Sequence, residues 1–217
     1  MNRSASIRRL GLICAFTTAS ATAAFSHPHV FAEARLEIMI GDRGSVSELR
    51  HVWRFDELFS STVLLDFDTN ANLKLEPEEL AEVGRIVHDS LADFNFFTSI
   101  IQNGRDISVV VPDGINVDYQ DGQLLMFFAV QAEDGMSLDG NMSFGVYDPT
   151  MYTAIDFIND SDMVVAGNTN GCKQTVVRPD VDEILAQNQE SLTEAFFNDP
   201  AGNDFSKFFA TRLELKC

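Results

Sequence analysis

Cations are scarce in this chain. Its 217 residues carry 15 Lys and Arg against 33 Asp and Glu, a formal net charge of −18. Binding to nucleic acid rests on neutralising phosphates with Lys and Arg, so a surface of this sign argues against such a partner. Catalytic signatures are missing too. There is no G-x-S-x-G elbow, H-E-x-x-H pair, Walker loop or G-x-G-x-x-G turn, and the chain is read as a non-enzyme. Cysteine is limited to Cys14, Cys172 and Cys217. No long internal repeat or low-complexity linker divides the sequence. Without repeated α/β halves, it does not read as a two-lobed solute-binding protein.

Arg3, Arg8 and Arg9 precede an apolar run at residues 10–16, then small residues ending Ala24-Phe25-Ser26. This is the pattern of a secretory signal peptide over residues 1–26, cleaved after Ser26 and too short to remain as an anchor. Gly11-Leu12-Ile13 before Cys14 fits a lipoprotein box poorly, and Arg8-Arg9 lacks the residues that follow a twin-arginine pair. The expected location is therefore periplasmic or secreted, with no membrane span after cleavage. Cleavage removes three arginines and no acid, leaving 12 basic residues against 33 acidic ones. In an oxidising compartment Cys172 and Cys217 read as a disulfide tying the C-terminus to the body, with a two-thiolate metal site as the alternative.

The most informative stretch is Asp68-Thr-Asn70-Ala-Asn72-Leu-Lys74-Leu-Glu76-Pro-Glu-Glu79. Oxygen-bearing side chains stand at loop positions 1, 3, 5, 9 and 12, the spacing of an EF-hand calcium loop. Asp68, Asn70, Asn72 and Glu76 would each offer a side-chain oxygen, Lys74 its backbone carbonyl and Glu79 both carboxylate oxygens. Leu64 and Phe67 precede the loop with an apolar helix face. Pro77 falls in the first turn of an exit helix, where no N–H is needed. Loop position 6 normally holds Gly and here holds Leu73, where a positive φ costs about 1–2 kcal/mol. The expected calcium affinity is weak, about 0.1–1 mM, and Leu73→Gly is expected to tighten it. The alternative is a solvated Asp/Asn-rich turn that holds no ion.

The fold expected is α+β. Alternating apolar residues at 30–40 and 45–55, joined by turn residues 41–44, predict a long hairpin. Asp56 is placed to cap a helix that enters the loop, and Leu80, Val83, Val87 and Leu91 mark the apolar stripe of the exit helix. Phe94, Phe96 and Phe97 are read as core. Short apolar runs at 107–111, 115–119, 124–130, 142–147, 153–157, 163–166 and 175–177, broken by Asn-Gly and Asp-Gly turns, predict an antiparallel, sandwich-like β-rich domain. A helix at 179–197 and a short tail at 205–217 close the chain. Residues 27–217 form a single domain in this reading, with an EF-hand-like helical insertion at about 56–92.

If cleavage follows Ser26, His27 offers an α-amine and an imidazole, and His29 a second imidazole. Such a trio suits Zn²⁺, Ni²⁺ or Cu²⁺. Pro28 has no amide proton, so chelation through successive deprotonated backbone amides is blocked. An exposed or strand-end pair of histidines with no metal role is the competing reading. His51 and His88 are possible further ligands that the sequence does not bring together.

Six segments in order carry a resemblance: His27-Pro-His-Val-Phe31, Trp53-x-Phe55-Asp-Glu57-x-Phe59-Ser60, the loop at 68–79, Phe94-Asn-Phe-Phe97, Tyr147-Asp-Pro-Thr-Met-Tyr152 and Gly171-Cys172. Together they resemble the DUF1007 family of exported bacterial proteins, described as periplasmic components of ABC-type transport systems. The resemblance implies a periplasmic metal-binding accessory of a nickel/cobalt/zinc-type transport system, partnered by an inner-membrane metal transporter or ABC permease. His27 and His29 match the family's His-Pro-His start, and Leu73 departs from its usual Gly. A second expectation is a non-catalytic interaction module stiffened by calcium, docking on an inner-membrane transporter.

Overall fold

A computed structural model describes residues 28–42, 44–133, 135–187 and 206–217, with the side chains of Leu185 and Gln187 excepted. The expected signal peptide, His27 and residues 188–205 lie outside the described residues, and with them much of the helix expected at 179–197.

Among the described residues the chain is a mixed α+β unit whose strands form two mostly antiparallel sheets. Strand β1 (Val30–Ile40) buries Val30, Ala32, Ala34, Leu36 and Ile38 and turns Phe31, Glu33 and Arg35 outward. This period-2 pattern is the one its sequence prescribes. It pairs antiparallel with β2 (Ser45–Phe55), and the hairpin closes through Gly41 N–H to Ser45 O at 2.8 Å. The other edge of β1 runs parallel to β10 (Thr153–Asp156) and then to β11 (Met163–Ala166). β2 continues the sheet into β7 (Gln123–Ala132), whose far edge takes β6 (Asn116–Gln120) and the short β5 (Val109–Val110). The two-residue β8 (Met136–Ser137) pairs with the start of β2.

The second sheet runs β12-β13-β9-β3-β4, from Lys173–Val177, Arg212–Lys216, Asn141–Val146 and Thr98–Gln102 to Arg105–Ile107. Helices α1 (Glu57–Phe67) and α2 (Pro77–Leu91) stand between β2 and β3 in the chain; α3 (Val181–Gln187) and α4 (Ser206–Phe209) flank the last strands. Both sheets and the two long helices contribute to one apolar core, with Trp53, Phe96, Phe144 and Phe157 almost wholly buried. Each such side chain contributes about 2–3 kcal/mol on burial.

Several elements differ from the sequence reading. The run expected at 107–111 divides at Ser108, ending one sheet as β4 and opening an edge of the other as β5. The tail expected at 205–217 contains β13, which sits inside the second sheet between β12 and β9. Its Leu213 and Leu215 point into the core. The Cys172–Cys217 disulfide joins the ends of β12 and β13, one step beyond the Lys173 and Lys216 pair.

The aromatic segment after α2 is only partly core. Phe96 is buried, Phe97 half-buried and Phe94 exposed. Asn95, Phe96 and Phe97 all take left-handed φ values of 51–52°. Such a run costs about 1–2 kcal/mol per residue. The Asn95 side chain opposes that cost by donating to Thr98 O and accepting from Val109 N–H. The turn stacks Phe97 on Trp53 at 6.0 Å and places Phe96 beside Phe128.

Candidate cation-binding loop

Asp56 fixes where α1 begins. One carboxylate oxygen accepts from Phe59 N–H and the other from Phe31 N–H, both at 2.9 Å, so the helix start is tied to β1. Ser60 then anchors the helix on β7, its Oγ donating to Asp56 O and accepting from Leu124 N–H. The last turn closes with Asp68 N–H donating to Leu64 O. On the far side of the loop Pro77 occupies the first turn of α2. Glu76 and Glu79 cap that helix reciprocally, each side chain accepting from the other's backbone N–H. Glu79, Val83, Gly84 and Leu91 are the buried positions of α2, which packs on β6, while Leu80 and Val87 are half-buried.

Between the helices the side chains form one hydrogen-bonded network. The Asp68 carboxylate accepts from Asn72 N–H at 3.1 Å and Leu73 N–H at 2.6 Å, and Asn72 Oδ1 accepts from Lys74 N–H at 2.8 Å. Glu76 accepts from the side-chain amides of Asn70 and Asn72. Glu79 Oε1 accepts from Thr69 N–H at 2.8 Å and Thr69 Oγ1 at 2.6 Å, and its Oε2 accepts from Glu76 N–H at 3.0 Å. These bonds to the ionised form hold the Glu79 carboxyl at about 2, the Thr69 hydroxyl having the largest effect. Leu73 stands at φ +61°, the conformation position 6 of such a loop requires, and Ala71 at +57°.

Asp68, Asn70, Asn72, Lys74, Glu76 and Glu79 lie along one loop, and the Asp68, Glu76 and Glu79 carboxylates do not converge there as a three-carboxylate cluster. Turning the Asn70 and Asn72 amides through 180° would exchange nitrogen for oxygen and set two more acceptors toward Glu76, a set that suits a hard cation. Thr69 was not singled out by the sequence, because position 2 of the loop is not a ligand position. Its role is to hold Glu79, and the signal was a hydroxyl ten residues before a carboxylate.

The histidines are dispersed. His27 lies outside the described residues. His29 donates its N–H to Tyr152 O at 2.9 Å, and the two rings lie 5.2 Å apart. His88 Nε2 is 2.9 Å from Pro112 O and fastens α2 to the loop before β6. His51 is buried at the junction of the sheets, stacked on Phe128 at 4.5 Å with Nε2 3.3 Å from Thr98 Oγ1. Its Nδ1 has no hydrogen-bond partner among the described residues, nor has the nearby Trp53 Nε1. Burial pushes the His51 imidazole down to about 3, so it is neutral at physiological pH. Among the described residues no three His, Cys, Asp or Glu side chains converge as a metal cluster, and no helix is long and apolar enough to cross a membrane. A groove of about 670 Å³ crosses the second sheet's outer face; two of its cations are already paired, Arg178 with Asp160 and Arg212 with Glu214.

The profile of the family described as "Protein of unknown function (DUF1007)" matches residues 12–217. The chain belongs to the DUF1007 family. It is 25% identical over 195 residues to an uncharacterised protein of Haemophilus influenzae (strain ATCC 51907 / DSM 11121 / KW20 / Rd), covering 88% of this chain and 91% of that protein. It is also 28% identical over 116 residues to the "Uncharacterized 15.5 kDa protein in trpE 3'region" of Spirochaeta aurantia, covering 52% of this chain and 81% of that protein. Within this DUF1007 chain, the segment from Trp53 through the loop to Phe97 is continuous in sequence and returns to the same aromatic core.

Proposed function

We propose that this DUF1007 protein is an exported, non-catalytic cation-binding module whose loop at residues 68–79 takes calcium. In this reading residues 56–92 are an EF-hand-like hairpin inserted into a sandwich-like pair of sheets, and the ion stiffens the junction of α1 and α2. The ligands are Asp68, Asn70, Asn72, Glu76, Glu79 and the carbonyl of Lys74. The observation that carries the reading is the backbone at Leu73. A branched residue at φ +61° is unfavourable, yet the loop holds it there with the Asp68 carboxylate accepting from the two successive N–H groups of Asn72 and Leu73. This left-handed residue stands at loop position 6, where an EF-hand loop normally has Gly for its sharp turn.

The transport-accessory role stands on the family resemblance: the module would serve an inner-membrane metal transporter or ABC permease from the periplasm. A transition-metal site at His27 and His29 has less support, because His51 and His88 are engaged elsewhere in the fold. Calorimetric titration of the exported protein with Ca²⁺, Zn²⁺, Ni²⁺ and Cu²⁺ separates these readings. Calcium binding at about 0.1–1 mM that is lost in Asp68→Ala supports the loop. Micromolar Zn²⁺, Ni²⁺ or Cu²⁺ binding that is lost in His29→Ala, with no calcium heat, would replace it with a metal carrier.

A further inference from the structure

α1 carries an apolar stripe that faces outward. Leu58 and Leu65 are 78% and 70% exposed, seven residues apart, with exposed Ser61 and Thr62 between them at the i+3 and i+4 positions. Residues at that spacing line one side of a helix. The two hydroxyls on this side are already engaged within the helix, Ser61 Oγ donating to Glu57 O at 2.7 Å and Thr62 Oγ1 to Leu58 O at 3.0 Å. The stripe therefore offers two leucines flanking a low floor, with no polar group in want of a partner. The opposite side of the same helix is its core side, where Ser60 and Val63 are buried. α1 is thus apolar on both sides although only one is covered, which is unusual for a surface helix.

The charge around the stripe is one-sided. Residues 54–85 contain eight acids against Arg54, Lys74 and Arg85, and both arginines are already paired, Arg54 with Glu33 and Arg85 with Glu82 and Asp89. Glu57 and Asp66, next to the two leucines, are both exposed. We propose that this face of α1 docks a cationic amphipathic helix of a partner protein. Leucines at i, i+3, i+4 and i+7 of that helix would pack on Leu58 and Leu65, and its Lys or Arg would meet the acidic rim. A second copy of this chain brings the same acidic rim and is repelled. Residues 188–205 carry four acids and no Lys or Arg, so charge sets them against this face too. The docking reading needs no ion in the loop and goes beyond the calcium proposal.

The test is fluorescence anisotropy of the exported chain with two labelled helical peptides that share one leucine stripe and carry either Lys or Glu at every other polar position. The Lys peptide is expected to bind at least tenfold more tightly than the Glu peptide, with affinity falling as salt rises. Leu58→Ser and Leu65→Ser are each expected to weaken it by on the order of tenfold. Val111→Ser, at a valine that is 54% exposed and away from α1, is expected to leave it unchanged. Equal binding of the two peptides, equal loss in Val111→Ser, or no loss in the α1 variants would overturn the proposal. So would self-association or binding to uncharged vesicles that depends on the same two leucines, since the face would then belong to a second copy or to lipid. Calcium titration of Leu58→Ser is expected to match the parent protein, which keeps failure of this proposal distinct from failure of the loop's.

Discussion

Replacing Leu73 by glycine and by alanine tests whether the loop holds the left-handed turn on which the calcium reading stands. Leu73 is 69% exposed, so both substitutions forfeit the same small burial, on the order of 0.5 kcal/mol. They differ in the backbone. At φ +61° alanine keeps a strain of about 1–2 kcal/mol that glycine lacks. Glycine in turn loses about 0.5–1 kcal/mol through its freedom in the unfolded chain. Leu73→Gly should therefore be more stable than Leu73→Ala by about 0.5–1 kcal/mol, a Tm difference of about 1–4 °C for a chain of this size. Thermal and urea unfolding followed by circular dichroism at neutral pH measure it. An alanine variant as stable as the glycine variant, or more so, would mean that residue 73 is not held at positive φ. The same geometry changes the expectation for affinity. The turn coexists with the Asn70 and Asn72 amides donating to Glu76, a pattern that an ion would displace. Strain relief then appears mainly as stability, and Leu73→Gly should change calcium affinity by less than about threefold; a tenfold gain, about 1.4 kcal/mol, would show that the turn forms only on binding.

Further outcomes follow from particular groups. Glu79, held at about 2 by Thr69 and Glu76, contributes stability that is present above the ordinary carboxylate value near 4.5 and lost as pH falls toward 2; the gap in urea midpoint between the parent and Glu79→Gln should shrink across that window. His51 is neutral in the fold down to about 3 but protonates near 6.5 when unfolded, so stability falls as pH drops from 6.5 to 3, by up to about 1.4 kcal/mol per unit. His51→Phe should flatten that slope in unfolding curves at pH 6.5 and 4.5 while keeping the stack on Phe128. A Cβ at Gly84 would stand 2.4 Å from Ile115 O, so Gly84→Ala should destabilise the packing of α2 against the chain entering β6 by about 1–3 kcal/mol, and unchanged urea unfolding would contradict that contact.

The features legible in the sequence were those written in local order. The β1 and β2 hairpin followed from alternation around a Gly-Asp-Arg-Gly turn, and both helices around the loop followed from Asp56, Pro77 and the apolar stripe of α2. The Cys172 and Cys217 pairing followed from an even count in an oxidising compartment. What stayed hidden depends on partners far along the chain. β13 is five residues long and gains its place only from β9 and β12, so Leu213 and Leu215 alone did not announce a strand. The parallel pairing of β1 with β10 and β11 is set by a chain return of more than a hundred residues. The switch of sheets at Ser108 rests on Asn95, whose side chain captures Val109 N–H from fourteen residues away. In the loop, the spacing of ligand types was visible, whereas the hold of Thr69 on Glu79 required the two helices to be placed.

The most direct measurement is a crystal structure of the protein grown in about 10 mM calcium, well above the affinity range of such loops. The account predicts one ion inside residues 68–79, six to eight oxygens at about 2.3–2.6 Å from Asp68, Asn70, Asn72, Lys74, Glu76, Glu79 and water, and the two Asn amides turned with oxygen inward. A loop that keeps the Asn70 and Asn72 amides bonded to Glu76, with no density for calcium among them, would contradict it.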